Sequence, residues 1–135
     1  MNNAGVVSAK TCLELSDQMI ERTFAVNTYA HFYTIKEFLP GMIEKKRGHL
    51  VNVASTAAFA GVPLMSDYTA SKAAAFMLDE SIRHEMNKAG HSSYIKTTCI
   101  CPYIIDTGMF EGMAKTFPLQ VLDPEAVVDR IIAGV

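Results

Sequence analysis

The stretch SDYTASKAAAF, Ser66 to Phe76, places a phenol and an ammonium four residues apart. At helical spacing Tyr68 and Lys72 stand one turn apart on the same face. An ammonium beside a phenol stabilises the tyrosinate and draws the phenol's pKa down from its reference near ~10. Thirteen positions before Tyr68, Ser55 closes the β-branched run HLVNVAS, and its hydroxyl can hold a carbonyl or alcohol oxygen. The three side chains describe a general acid/base device for interconverting an alcohol and a ketone. Taken alone, a Tyr-x-x-x-Lys pair is equally a half-exposed tyrosine beside a solvated lysine. The elements that would position the set therefore decide its meaning.

HLVNVAS, His49 to Ser55, reads as a short buried strand. A loop with Gly61 and Pro63 leads into a helix from Asp67 to about Lys88, closed by Gly90. Upstream, Ser16 caps a helix beginning at Asp17, with Ile20, Phe24, Phe32, Ile35 and Leu39 among its apolar positions and an interruption at Pro40-Gly41. IKTTCICP is a second strand stopped by Pro102, and Asp123-Pro124-Glu125 opens a last helix. MNNAGVVS is the end of a strand or a loop. Strand and helix alternate, which indicates parallel βαβ units in an α/β layer fold. In such sheets ligands gather beyond the carboxyl ends of the strands, where Ser55 and the start of the Tyr68 helix meet. Residues 1–135 form one domain, with no repeat, linker or low-complexity tract.

Composition narrows the function. Half the residues are hydrophobic and 19% are charged, so the chain folds. A net charge of −2 gives no footprint for nucleic acid or an anionic membrane. Four scattered histidines lack ligand spacing, so no metal site is expected. Three cysteines without a C-x-x-C pair fit reduced thiols in an intracellular setting, and Cys99 and Cys101 read as core thiols on one side of a strand. No apolar run reaches spanning length and no secretory h-region is present.

Five pieces occur together and in order: NNAG from Asn2 to Gly5, VNT around Asn27, GHLVNVAST around Ser55, YTASKAA from Tyr68, and CPYIIDTGMF from Cys101. In them the chain resembles the short-chain dehydrogenase/reductase superfamily, over nearly its whole length. EFLPGMIEKKRGHLVNVAS and IKTTCICPYIIDTGMFEG are similar to the branch of epidermal-type retinol dehydrogenases and 17-beta-hydroxysteroid dehydrogenases of types 11 and 13. The resemblance implies a Rossmann-like, doubly wound parallel sheet, of which this chain is the C-terminal half in a three-layer α/β/α arrangement. It implies hydride transfer between NAD or NADP, NAD marginally favoured, and a hydrophobic alcohol or ketone such as a retinoid, steroid or fatty alcohol. Tyr68 would be the acid/base, Lys72 would lower its pKa and hold the nicotinamide ribose, and Ser55 would position the substrate oxygen. Asn27 would anchor a water linking Lys72 to solvent. Asn2 and Gly5 would line the adenosine side of the cofactor, and Pro102 and Thr107 would flank the nicotinamide. The two long helices would form a homodimer interface, and relatives attach to endoplasmic reticulum or lipid droplets, whereas this chain alone would be cytoplasmic.

The departures are as informative. No T-G-x-x-x-G-x-G turn, the family's pyrophosphate cradle, occurs in the 135 residues. The reading is then a catalytic half from a truncated gene model, isoform or fragment, and the alternative is a non-catalytic interaction module that dimerises with an intact dehydrogenase. Tyr103 stands where the family often has glycine. The loop from Gly108 to Pro118 carries Met109, Phe110, Met113 and Phe117 between glycines, suited to a lid over an apolar substrate.

Overall fold

The computed structural model describes residues 1–110 and 121–135. Its sheet pairs β1 (Gly48–Val53) with β2 (Ile95–Ile100) in parallel, in register from Gly48↔Ile95 to Val53↔Ile100. The pairing continues past both strands, because Ala54 N–H donates to Ile100 O at 2.8 Å and Thr56 N–H to Pro102 O at 3.0 Å. On the other edge of β1, Asn2 forms a parallel bridge with Asn52, its N–H donating to Val51 O and its carbonyl accepting from Val53 N–H. MNNAG is therefore a one-residue strand equivalent that enters beside β1.

One long helical rod precedes β1. It comprises α1 (Asp17–Phe24), a π-helical segment (Ala25–Tyr29) and α2 (Ala30–Glu44). Ser16 caps it by accepting from Met19 N–H, as its residue type predicts. The expected interruption at Pro40-Gly41 does not occur, and the rod runs through both residues. Pro40 is exposed, as is Lys36, so the carbonyl left without a helical donor faces water and the cost of the missing N–H is small. The rod changes its winding earlier, around Asn27, where the extra residue of a π turn is inserted.

From Ser66 to Lys88 runs α3, and from Pro124 to Gly134 runs α4. Gly90, at φ +75, ends α3 in a left-handed turn. Gly90 N–H bonds Asn87 O and His91 N–H bonds Met86 O, the reciprocal pair of a Schellman closure. Asp123 caps α4 through Ala126 N–H, and none of the residues of α4 is buried.

The hydrophobic core joins Ile35 and Leu39 of α2, Leu50 of β1, Leu78, Ile82 and Met86 of α3, and Ile95 of β2. Both long helices thus pack on one face of the sheet. Ile20 and Phe32, expected on the apolar face of the rod, stand 36% and 44% exposed. No described helix is long and apolar enough to cross a membrane.

Entry into β1 is tight. A Cβ added at Gly48 would lie 2.6 Å from Met42 Cβ and 2.7 Å from its Cγ, atoms too close to the backbone to swing away. Gly61 has nothing within 4 Å and an ordinary φ. Gly48→Ala should cost about 1–3 kcal/mol by overpacking, and Gly61→Ala should be neutral or stabilising by about 0.4–1 kcal/mol. Urea unfolding of both variants checks the contrast, and equal midpoints would refute it.

Candidate active site

A cleft of about 1060 Å³ opens beyond the carboxyl ends of β1 and β2, lined by Gly5, Ser55, Tyr68, Lys72, Pro102 and Thr107. Six of the eight expected site residues therefore meet on one surface. The elements explain why. Ser55 leaves β1 in extended geometry (φ −170) and caps the short turn Thr56–Ala58, its Oγ accepting from Ala57 N–H at 3.1 Å. The same Oγ donates weakly to Pro102 O at 3.5 Å, tying it to the exit of β2. Tyr68 and Lys72 occupy the first two turns of α3, which starts beside that exit.

Asn27 and Asn2 lie elsewhere. Asn27 is wholly buried, and its amide is committed on both sides: Oδ1 accepts from Val6 N–H at 2.8 Å, while Nδ2 donates to Val6 O and to Ser71 Oγ, each at 2.9 Å. The side chain is a clamp between the NNAG segment and α3. Asn2 does not line the cleft either. Its Oδ1 accepts from Thr34 Oγ1 and its Nδ2 donates to Asn52 Oδ1, both at 2.7 Å, and Asn52 Nδ2 passes the chain on to Asp79 Oδ1 at 2.6 Å. Asn3 lines the cleft instead. The lining runs unbroken from Asn3 to Ser8, so the bridge of Asn2 to Asn52, which no residue type announces, decides which asparagine is withheld.

Further polar residues join the site without a sequence motif to announce them. Ser71 Oγ donates to Tyr68 O and Thr28 Oγ1 donates to Ser71 O, pinning the turn that carries Tyr68. Ser8 and Thr23 hydroxyls each donate to Asp67 Oδ2 at 2.7 Å. His31 is 2% exposed, and neither ring nitrogen has a hydrogen-bond partner among the described residues.

The electrostatics differ from the expectation. Burial raises the Tyr68 phenol above its ordinary value, with the Ser55 hydroxyl drawing it back as the lesser influence. Lys72 Nζ lies 5.9 Å from the phenol ring centroid and donates to Val53 O at 2.8 Å. Burial also brings Lys72 down to about 8, opposed by the Cys99 and Cys101 thiols. Desolvation thus outweighs the pairing that the four-residue spacing implies. At neutral pH Lys72 is still mainly cationic, and among the described residues two of its three N–H donors are uncommitted.

Those donors bear on whether a dinucleotide fits. A Cβ at Gly5 would sit 3.5 Å from Lys72 Nζ and 3.8 Å from Asn27 Oδ1. Only a residue without a side chain leaves the space over the ammonium open to ribose hydroxyls, so these residues fit a nicotinamide cofactor. Across the cleft, Phe110 meets Tyr68 edge to face with ring centroids 5.8 Å apart, and Met109, Ile104 and Met65 extend the apolar wall. Met113 and Phe117 lie outside the described residues.

Parallel strands packed against helices, with Ser55, Tyr68 and Lys72 meeting in a cleft beyond the strand ends, define a Rossmann-like α/β fold. A family model for the short chain dehydrogenase matches residues 1–117, and the chain belongs to that family. Short-chain dehydrogenase/reductase family 16C member 6 of Bos taurus is 49% identical over 119 residues, covering 88% of this chain and 37% of that protein. Epidermal retinol dehydrogenase 2 of Homo sapiens is 43% identical over 137 residues, covering 100% of this chain and 44% of that protein. Retinol dehydrogenase 10-B of Danio rerio is 45% identical over 141 residues, covering 100% and 41%. The chain thus spans well under half the length of these relatives. Among solved structures, a short-chain dehydrogenase from Sphingobium yanoikuyae in complex with NADPH superposes with a TM-score of 0.85 at 26% identity, over 98% of this chain and 51% of that one. 4-Hydroxyisoleucine dehydrogenase complexed with NADH gives 0.81 at 28% identity, over 96% and 57%.

His31 supplies a pH test of the buried site. Burial first, and the Lys72 charge second, lower its pKa from 6.5 to about 4. Between those values the unfolded chain binds the extra proton, so stability is full above 6.5 and is lost as pH falls through about 4. The wild type should lose about 3 kcal/mol over that interval, and His31→Leu should lose much less. Comparing the two isolates His31 from Asp79, whose buried carboxyl is raised and acts in the opposite sense. Parallel pH profiles from urea titrations would refute the assignment.

Proposed function

We propose that this chain supplies the catalytic half of a nicotinamide-dependent oxidoreductase acting on a hydrophobic alcohol or ketone. The observation that carries it is the convergence of Ser55, Tyr68 and Lys72 on one cleft whose far wall is apolar. The retinol dehydrogenase names of its relatives support a long apolar alcohol as substrate. Asn3, Gly5, Pro102 and Thr107 line the side of the cleft where NAD or NADP would lie, and the cofactor, when bound, supplies or accepts the hydride.

The protein's share is proton management and orientation. Ser55 Oγ would hold the substrate oxygen. The buried phenol of Tyr68, held protonated, donates to that oxygen when a ketone is reduced. In the reverse direction the phenol must first lose its proton, and the Lys72 ammonium, present below about 8, stabilises the tyrosinate that forms. Val53 O fixes that ammonium. Asn27 and Ser71 hold the helix turn in register from behind, touching neither reactant.

Tyr68→Phe keeps the ring and its packing on Phe110 while removing the proton. Turnover of all-trans-retinol should be measured in a chimera in which this chain replaces the matched segment of epidermal retinol dehydrogenase 2, with its unsubstituted counterpart alongside. The variant should lose roughly 10²–10⁴-fold in kcat, with cofactor binding by fluorescence titration preserved. Wild-type turnover in the variant would sink the assignment.

The second long-helix face supports self-association. Phe32, Lys36, Ala74, Met77 and Ser81 border a shallow groove between α2 and α3, and Phe32 and Met77 stand 44% and 57% exposed. Two-fold pairing of this face with a second copy would cover both apolar residues at once. Sedimentation equilibrium at tens of micromolar should show a dimer that Met77→Glu converts to monomer. A monomeric wild type would exclude this pairing.

A further inference from the structure

The two thiols at the end of β2 play no part in the chemistry above. Cys99 Sγ and Cys101 Sγ lie 3.9 Å apart, and both are half-buried rather than sealed in a core. Cys12, the remaining cysteine, is exposed. Cys99 is in register with Asn52, whose side chain reaches Asp79 on α3, so the thiols face the α3 side of the sheet. Burial raises both thiols, Cys99 to about 12.

We infer that Cys99 and Cys101 form a two-point binding site for a soft, thiophilic cation. The separation chooses this over a disulfide. A strand spaces alternate Cα atoms about 6.7 Å apart, at the far end of the range a disulfide spans, and the sulfurs would have to close to ~2.05 Å. A tetrahedral ion holds two thiolate sulfurs about 4 Å apart, about 3.8 Å at the ~2.3 Å bond length of Zn²⁺ and a few tenths of an ångström more for the larger Cd²⁺. The pair already has that spacing. Among the described residues no third His, Cys, Asp or Glu completes a metal-holding group. Two sulfurs alone favour ions for which thiolate bonding dominates, such as Cd²⁺, over those that need a closed mixed-ligand cage. On binding, two S–H bonds are replaced by two metal–sulfur bonds, the two protons pass to buffer, and no electrons are transferred. Because Ser55 Oγ and Thr56 N–H both bond Pro102 O, the carbonyl next to Cys101, an ion held there also displaces the strand end that carries Ser55, a consequence that rests on the role proposed for Ser55.

Cadmium titration of the purified chain, read by cadmium–thiolate charge-transfer absorption and by calorimetric stoichiometry, tests the site directly. One Cd²⁺ per chain is expected, kept in Cys12→Ser and weakened at least tenfold in Cys99→Ser and in Cys101→Ser. Unchanged affinity in the latter two would overturn the proposal. Phenylarsine oxide gives a check that needs no variant: its As=O oxygen leaves as water with the two thiol protons while two As–S bonds form. Intact mass should show a single adduct of reagent minus water that survives excess glutathione and is removed by dithiothreitol. An adduct stripped by glutathione, or none, would overturn it. In the chimera, Cd²⁺ should lower turnover of the unsubstituted protein but spare the double Cys99→Ser, Cys101→Ser variant. Equal inhibition of both would break the link to Ser55 and leave the binding result standing.

Discussion

The buried amide of Asn27 is the contact on which the site depends. It satisfies the backbone N–H and C=O of Val6 and the hydroxyl of Ser71 at once. Three separate pieces of chain meet there: the segment after NNAG, the π turn of the long rod, and the second turn of α3. Left unmade, each such buried bond would cost about 1–3 kcal/mol. The π turn is the local price of that meeting, since its extra residue resets which side chain faces inward. With the clamp in place, Gly5 passes over Lys72 and Tyr68 faces the cleft.

The start of α3 is otherwise an uneconomical piece of helix. Asp67, Tyr68, Ser71 and Lys72 are all buried within two turns, at 4%, 5%, 0% and 3% exposure. Ser8 and Thr23 serve Asp67 Oδ2, Asn27 serves the Ser71 hydroxyl and Val53 O serves Lys72, while Asp67 Oδ1 has no partner among the described residues. Burial at this density also sets the charge states. It pushes the phenol up and the ammonium down, leaving a protonated tyrosine beside a lysine only modestly favoured as a cation. Such opposed shifts are unfavourable for stability: the ammonium is brought nearer its neutral form, while the phenol is held more firmly protonated.

A second polar chain, Thr34–Asn2–Asn52–Asp79, does structural work away from the cleft. It crosses from α2 to α3 through the sheet and holds the one-residue bridge of Asn2 against β1. A single bridge is a short strand, and side-chain bonds compensate for the ladder it lacks. The same arrangement leaves Asn3 and Gly5 turned to the cleft.

Much of this was legible from residue order. HLVNVAS, IKTTCICP and the capped helices at Ser16 and Asp123 announced a parallel α/β layer, since β-branched runs and caps act locally. The spacing from Ser55 to Tyr68 to Lys72 determined that three chemically active groups would gather at the strand ends. What residue order could not express was partnership. Which backbone groups the Asn27 amide holds, whether Asn2 or Asn3 meets the cleft, and whether Lys72 lowers or fails to lower the Tyr68 pKa all depend on which groups lie opposite and how much water is excluded. Pro40 was a helix breaker by type and became tolerable only because the tertiary structure turned its unbonded side to solvent. Local propensity and spacing are properties of the chain, whereas desolvation and the satisfaction of buried polar atoms exist only after distant segments close on one another.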